Sequence, residues 1–338
     1  MANAPQNQSS TTMPEKTDAR IHSIDDFRGW AIFSMILVNY LGMFESMPWQ
    51  FKHHDNGMSF ADTVAPLFIF VVGMGLRYSL QRRIASAGII AACAHVLRRC
   101  VVLILIGMVV YGPSPDNWRY WWDALVDIGF AGILALPFMW GNVAVRVSAA
   151  VAYLAAYQII YTATGYGAWT MAHSIDGGPF GVLSWTAILL FGTIAFDLIA
   201  ARDNRRIVWG CIFWGVLLCT AGWLLKIEWP GMKAEWPFSQ PGMSIPYPLY
   251  ATGLCFLMYL PFYFVCDVKN WRIPHLSILG MNPLVLYVVQ QALMDIHGTL
   301  FVSQNASVLL ALFGFATFYL VCYAVARKLY NDRIVIKI

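Results

Sequence analysis

Apolar runs of membrane-spanning length dominate this chain. They fall at about 27–45, 60–80, 88–111, 122–140, 142–164, 180–201, 207–226, 246–266, 277–296 and 302–328. A helix needs roughly 20 apolar residues to cross the hydrocarbon core of a bilayer. The expected fold is therefore all-α: a polytopic transmembrane helix bundle of about ten spans. The second pair of central runs is split only by Trp140-Gly141-Asn142, which reads as a tight turn. Composition agrees. Of 338 residues, 59% are hydrophobic and 12% charged, against about a quarter charged in a soluble domain. A soluble globular protein, a disordered chain and a nucleic-acid binder are excluded. Residues 1–20 are polar and read as a flexible cytosolic tail, not a signal peptide. Residues 21–338 read as a single transmembrane domain.

Charge sets the orientation. With the N-terminus inside and sides alternating, eighteen of the 22 lysines and arginines fall on inner segments. Only Lys52, Arg119, Lys226 and Lys233 fall outside. The positive-inside rule then places both termini in the cytosol. Ten of the 18 acidic residues lie at outer ends, among them Asp55, Asp62, Asp123, Asp127, Asp176 and Asp295. Such sorting is what ordinary topology produces. It would also draw an anionic cofactor to the inner face and a cationic substrate to the outer one. The seven cysteines all lie in apolar runs and read as packing residues without disulfides. The tryptophans and tyrosine at 49, 118, 120–122, 229 and 236 read as an interfacial belt.

Polar residues in and beside the first two spans carry the chemistry. The first span opens Ser23-Ile24-Asp25-Asp26-Phe27-Arg28-Gly29, where Asp25 or Asp26 reads as a helix cap. Arg28 is either a snorkelling anchor or a phosphate ligand. Asn39, three turns on, needs a partner in lipid. It serves an interhelical bond or a developing oxyanion. The first outer loop holds His53-His54-Asp55, and histidine suits a general base near neutral pH. Adjacent histidines rarely share one ion without a third ligand, so no metal is expected. Asp62, at the outer interface, either orients the loop histidine or caps its own helix. Asp123, Asp127, Asp176, Gln290, Gln291, Asp295 and His297 at outer helix ends point to a polar cavity opening outward.

The stretches SIDDFRGWAIFSMILVNY and FKHHDNGMSFADTVAPLFIFVVGMGLRYSL resemble the catalytic membrane domain of the heparan-α-glucosaminide N-acetyltransferase family and its bacterial relatives. Weaker matches follow in DGGPFGVLSWTAILLFGTIAFD, MSIPYPLYATGLCFL and ILGMNPLVLYVVQQAL. The opening also resembles the wider acyltransferase-three type, which typically has a histidine where this chain has Asn39. The resemblance implies acyl transfer across a membrane, from cytosolic acetyl-CoA to a terminal glucosamine on the far side. It points to His53 as the essential histidine and to Asn39 in the preceding span. The chain departs from the family's His-Ala-x-Trp-x-Gly pattern in that loop, which leaves His53 against His54 open and the acceptor in doubt.

The expected enzyme is a transmembrane, acyl-CoA-dependent N-acetyltransferase of the bacterial inner membrane. His53 or His54, Asn39 and Asp62 form the catalytic set. Arg28, Arg82, Arg83, Arg98 and Arg99 are candidates to hold the phosphates of acetyl-CoA. The partners are an amino sugar or glycan acceptor and the lipid bilayer, with homo-oligomerisation left open. Two rivals remain. One is an O-acyltransferase acting on a hydroxyl. The other is a proton-coupled transporter using Asp62, Asp123, Asp127 and Asp295, against which the absence of a matching motif between the halves argues.

Overall fold

The computed structural model describes residues 21–112, 122–227, 236–300 and 304–336, without the side chains at 111, 295 and 297–300. The tail 1–20 and the side chains of Asp295 and His297 thus lie outside the described residues. Every regular element among those residues is helical. In chain order they are α1 (His22–Leu41), α2 (Ala61–Tyr111), α3 (Ala124–Ala135), α4 (Val143–Ala163), α5 (Tyr166–His173) and α6 (Gly178–Ala200). Then come α7 (Asn204–Lys226), α8 (Pro246–Phe262), α9 (Pro274–Leu279), α10 (Pro283–Leu300) and α11 (Val308–Asn331). A widened π turn, Tyr263–Val268, extends α8. Six helices are long and apolar enough to cross a membrane, and two more apolar helices, Ala124–Phe138 and Pro283–Met294, are shorter.

The longest helix is two arms. Straight, the 51 residues of α2 would reach about 76 Å. Yet Ala61 and Val110, near its two ends, line one cavity. The chain reverses at Gly88, whose φ of 82° and ψ of 171° are non-helical and suit glycine. Leu76 and Cys100, from opposite arms, both approach Gly132 of α3. The apolar runs 60–80 and 88–111 therefore lie side by side.

α6 is the centre of the bundle: 83% of its most apolar stretch is buried. It meets the first arm of α2 backbone to backbone. A Cβ on Gly73 would drive into the Leu189 carbonyl, and one on Gly192 into that of Phe70. Asp197, near the end of α6, takes Arg77 Nε and Nη2 at 2.9 and 3.1 Å and also binds Arg146. Arg146 is 1% exposed and donates to Thr193 Oγ1 at 2.9 Å. Arg77 and Arg146, which the sequence marks only as orientation signals, thus lock α2, α4 and α6 together.

The Asp-Asp-Phe-Arg-Gly opening does not cap α1. The N-cap is Ile21, and no side chain bonds there. Asp26 is fully buried and instead accepts from Ile273 N at 3.1 Å, Cys266 Sγ at 3.2 Å and the Ser277 hydroxyl. Ser23 N donates to Asp267 at 3.2 Å, and its hydroxyl pairs with Tyr259 at 2.5 Å. Gly29 leaves room for the Leu276 carbonyl. The motif is a clamp between α1 and the α8–α9 connection. Asn282 has a similar structural task, bonding Ile334 O and Ile336 N at 2.9 Å each. All seven cysteines are free thiols, as expected.

Because α2 and α6 touch through backbone, Gly73→Ala or Gly192→Ala should destabilise the purified protein by roughly 1–3 kcal/mol, the usual cost of overpacking. Thermal unfolding in detergent checks this. An unchanged midpoint would mean that the two helices separate freely.

Candidate active site

Between α1, the ends of α2, α3 and α10 lies a cavity of about 680 Å³, a size that suits a small-molecule ligand. His53, His54, Asn39, Asp55, Asp123, Asp127, Asp176 and Gln291 all line it. Residues assigned by charge to one side of the membrane thus converge on one end of the bundle. Gln290 is buried but does not line the cavity.

The geometry separates the two histidines. Asp62 is fully buried, and its Oδ1 meets His53 Nδ1 at 2.8 Å. Its Oδ2 accepts from Ser59 N at 2.9 Å, while Asp62 N reaches Ser59 Oγ at 3.4 Å. That reciprocal pair ties down the turn that leads into α2, so Asp62 bonds the His53 ring and the Ser59 backbone at once. Tyr247 donates to its carbonyl at 2.7 Å and fixes the start of α2. With Nδ1 donating to the Asp62 carboxylate, Nε2 of neutral His53 carries the ring's lone pair, with the Gln240 side chain nearby. His54 is oriented otherwise: Nε2 contacts the Trp49 carbonyl at 2.9 Å and the ring packs on that indole.

Burial by itself lowers the His53 pKa, but the hydrogen bond and charge of Asp62, with Asp176 and Gln240 nearby, outweigh it and leave the pKa raised. Burial also raises the Asp176 carboxyl, against the opposing effects of the Gln240 amide and His53.

Asn39 faces the cavity without a hydrogen bond among the described residues. Asp123 caps α3. Asp127, one turn on, is 1% exposed and accepts from Trp122 Nε1 at 2.9 Å. Trp122 is thus a hydrogen-bond donor to a carboxyl that lines the cavity.

Sequence reasoning missed the loop before α8. Ser239-Gln240-Pro241-Gly242 is buried. Buried irregular backbone must be satisfied within the protein, and here side chains do it. Tyr157 reaches Gly242 O at 2.6 Å, Thr170 reaches Pro241 O at 3.0 Å and Ser184 reaches Met243 O at 3.0 Å. Gln158 accepts from Ile245 N at 3.1 Å. So held, the loop delivers Gln240 to the cavity, where Nε2 donates to Asp176 at 2.7 Å. The pairing of such turn residues with a distant Tyr, Thr and Ser left no trace in local sequence.

The arginines lie elsewhere. Arg28 pairs with Asp25 at 3.5 Å and stands within electrostatic range of Arg99. Arg82, Arg83 and Arg98 are exposed, and Arg83, Arg98 and Arg99 surround His95. None of the five lines the cavity.

Fold and cavity together define a polytopic helical membrane protein with a carboxylate-oriented histidine in a polar chamber. Residues 20–227 match the family described as heparan-alpha-glucosaminide N-acetyltransferase, catalytic, and the chain belongs to that family. It is 36% identical over 108 residues to the heparan-alpha-glucosaminide N-acetyltransferase of Homo sapiens, covering 29% of this chain and 15% of the human protein. The Mus musculus counterpart is 34% identical over 108 residues, covering 29% of this chain and 16% of its own length.

The Asp62 contact makes a prediction about protonation. Modification of His53 by an imidazole-acylating reagent, followed by mass spectrometry, should rise with pH through a midpoint above the ordinary value of about 6.5. In Asp62→Asn the largest raising influence is gone and only Asp176 and Gln240 oppose burial, so the midpoint should move to lower pH. A midpoint that does not move would show that Asp62 does not control the ring.

Proposed function

We propose that this chain is a membrane acetyltransferase, moving acetyl from cytosolic acetyl-CoA to an amino-sugar acceptor on the outer side. The observation that carries the reading is His53, held by a fully buried Asp62 and facing a polar cavity. Family membership supports the reaction class. An amine is nucleophilic only after losing its proton, so a base beside the acceptor is required. His53 Nε2 takes that proton as the amine nitrogen bonds to the thioester carbonyl carbon. The carbon–sulfur bond then breaks, and CoA leaves with the proton returned to its sulfur. Asn39 offers an amide N–H to the developing oxyanion. Asp62 positions the ring and stabilises its charged form. A transient acyl-histidine is the variant of this path in which His53 itself attacks the thioester.

In this reading acetyl-CoA enters at the arginine end. Arg28 and Asn39 are eleven residues apart on α1, so they share one face about 16 Å apart. An extended pantetheine arm spans a comparable distance. Phosphates at Arg28, Arg82, Arg83, Arg98 and Arg99 would leave the thioester near Asn39. We place the chain in a bacterial cytoplasmic membrane, with ten crossings and both termini cytosolic. The lysine and arginine distribution supports that orientation.

Transfer from acetyl-CoA to glucosamine by the purified protein tests the reading. His53→Ala should lower the rate by about a hundredfold or more, the usual worth of a general base, and His54→Ala far less. Full activity in a His53→Ala, His54→Ala double variant would end the proposal. Arg28→Ala with Arg99→Ala should raise the KM for acetyl-CoA and leave the acceptor KM unchanged. The opposite split would move the donor site away from these arginines.

A further inference from the structure

The cavity wall carries a cluster of carboxyl groups that the His53–Asp62 pair does not use. Asp55, Asp123, Asp127 and Asp176 line it, and among its described lining residues there is no lysine or arginine. Most of these carboxylates are occupied. Asp123 caps α3 and takes the Tyr287 hydroxyl at 3.5 Å, Asp176 holds the Gln240 amide, and Asp55 is exposed. Asp127 differs: Oδ1 holds the Trp122 indole, while Oδ2 is buried without any partner. Gln240 repeats the pattern. It is 7% exposed, with Nε2 committed to Asp176 and Oε1 buried beside the His53 ring without a hydrogen bond.

Two orphaned acceptor atoms thus border one cavity. An acceptor left dry and unpaired costs its full desolvation, and more if it is charged. The complementary ligand group carries several N–H donors and positive charge. A primary ammonium has three donors and one charge, whereas a hydroxyl has one donor and none.

We propose that Asp127, assisted by Gln240, receives the acceptor's amino group in its ammonium form and so sets the preference for an amine over a hydroxyl acceptor. This rests on the acetyltransferase reading and assigns a specificity role to residues outside the His53, Asn39 and Asp62 set. The ammonium docks against Asp127 Oδ2 and orients the sugar; one proton then leaves to solvent, and the free amine so formed gives its second proton to His53 as it attacks. Asp127 touches the acceptor without entering the acyl transfer itself.

The test uses the full chain in detergent with glucosamine and with glucose, in which a hydroxyl replaces the amine. Two readouts are taken: binding of each sugar without acetyl-CoA, by calorimetry or thermal shift, and steady-state acetyl transfer. Asp127→Asn keeps the shape and the Trp122 acceptor but removes the carboxyl group that would pair with an ammonium. It should raise the glucosamine KM by about tenfold or more, as expected for losing a charged hydrogen bond. The KM for acetyl-CoA should stay unchanged, and the preference for glucosamine over glucose should shrink. Gln240→Met should act in the same direction with a smaller effect, and it carries the test should Asp127→Asn not fold. An unchanged glucosamine KM and amine preference in the folded variants overturns the proposal while leaving acetyl transfer intact. Wild-type protein that binds glucosamine through Asp127 but transfers no acetyl group supports this inference and overturns the functional reading instead.

Discussion

No water reaches the bilayer core to complete a hydrogen bond, and the architecture follows from that. Helices close their own backbones, so every regular element described is helical. Where the chain departs from helix inside the bundle, side chains stand in for water: Tyr157, Thr170 and Ser184 on the loop before α8, and Asp26 on the turn into α9. The buried arginine Arg146 survives because Asp197 and Thr193 receive it. Against that background an unpaired polar atom is conspicuous. Ser34, Gln158 and Gln290 have such atoms within the bundle, and nothing in the structure explains them. Asp127 and Gln240 have them at the edge of a cavity, where a ligand can supply what protein does not.

The same constraint sorts charge along the bundle. One end collects acids around two histidines. Another region collects Arg28, Arg83, Arg98 and Arg99 within electrostatic range of one another or of His95. α1 joins the two, since Arg28, Met35 and Asn39 fall on one stripe of a single helix. A donor carrying negative phosphates and an acceptor carrying a positive amine would thus approach from opposite ends. The packing of α1 on α9, through Asp26 and Gly29, then bears on how that stripe is aimed.

Much of this was legible in the linear chain. Apolar runs announced helices because hydrocarbon thickness fixes a helix length. Gly88 opens the second of two such runs, and the chain reverses there within α2. His53 and Asp62 are nine residues apart, close enough that a short loop and one helix start bring them together. Other parts were not legible. Asp25 and Asp26 read as caps because capping is local, but Asp26 finds its partners some 240 to 251 residues away. The bond from Trp122 to Asp127 was not legible either, because composition does not say which way an indole points.

By itself the sequence determined the membrane setting, the helical class, the family and the histidine loop, since these depend on local hydropathy, charge and short spacings. Only the tertiary structure decided which histidine Asp62 holds, that Gln240 enters the cavity, and which carboxylate oxygen is left without a partner. Those outcomes depend on where distant side chains exhaust one another's hydrogen-bonding capacity, and that accounting closes only when the whole chain is packed.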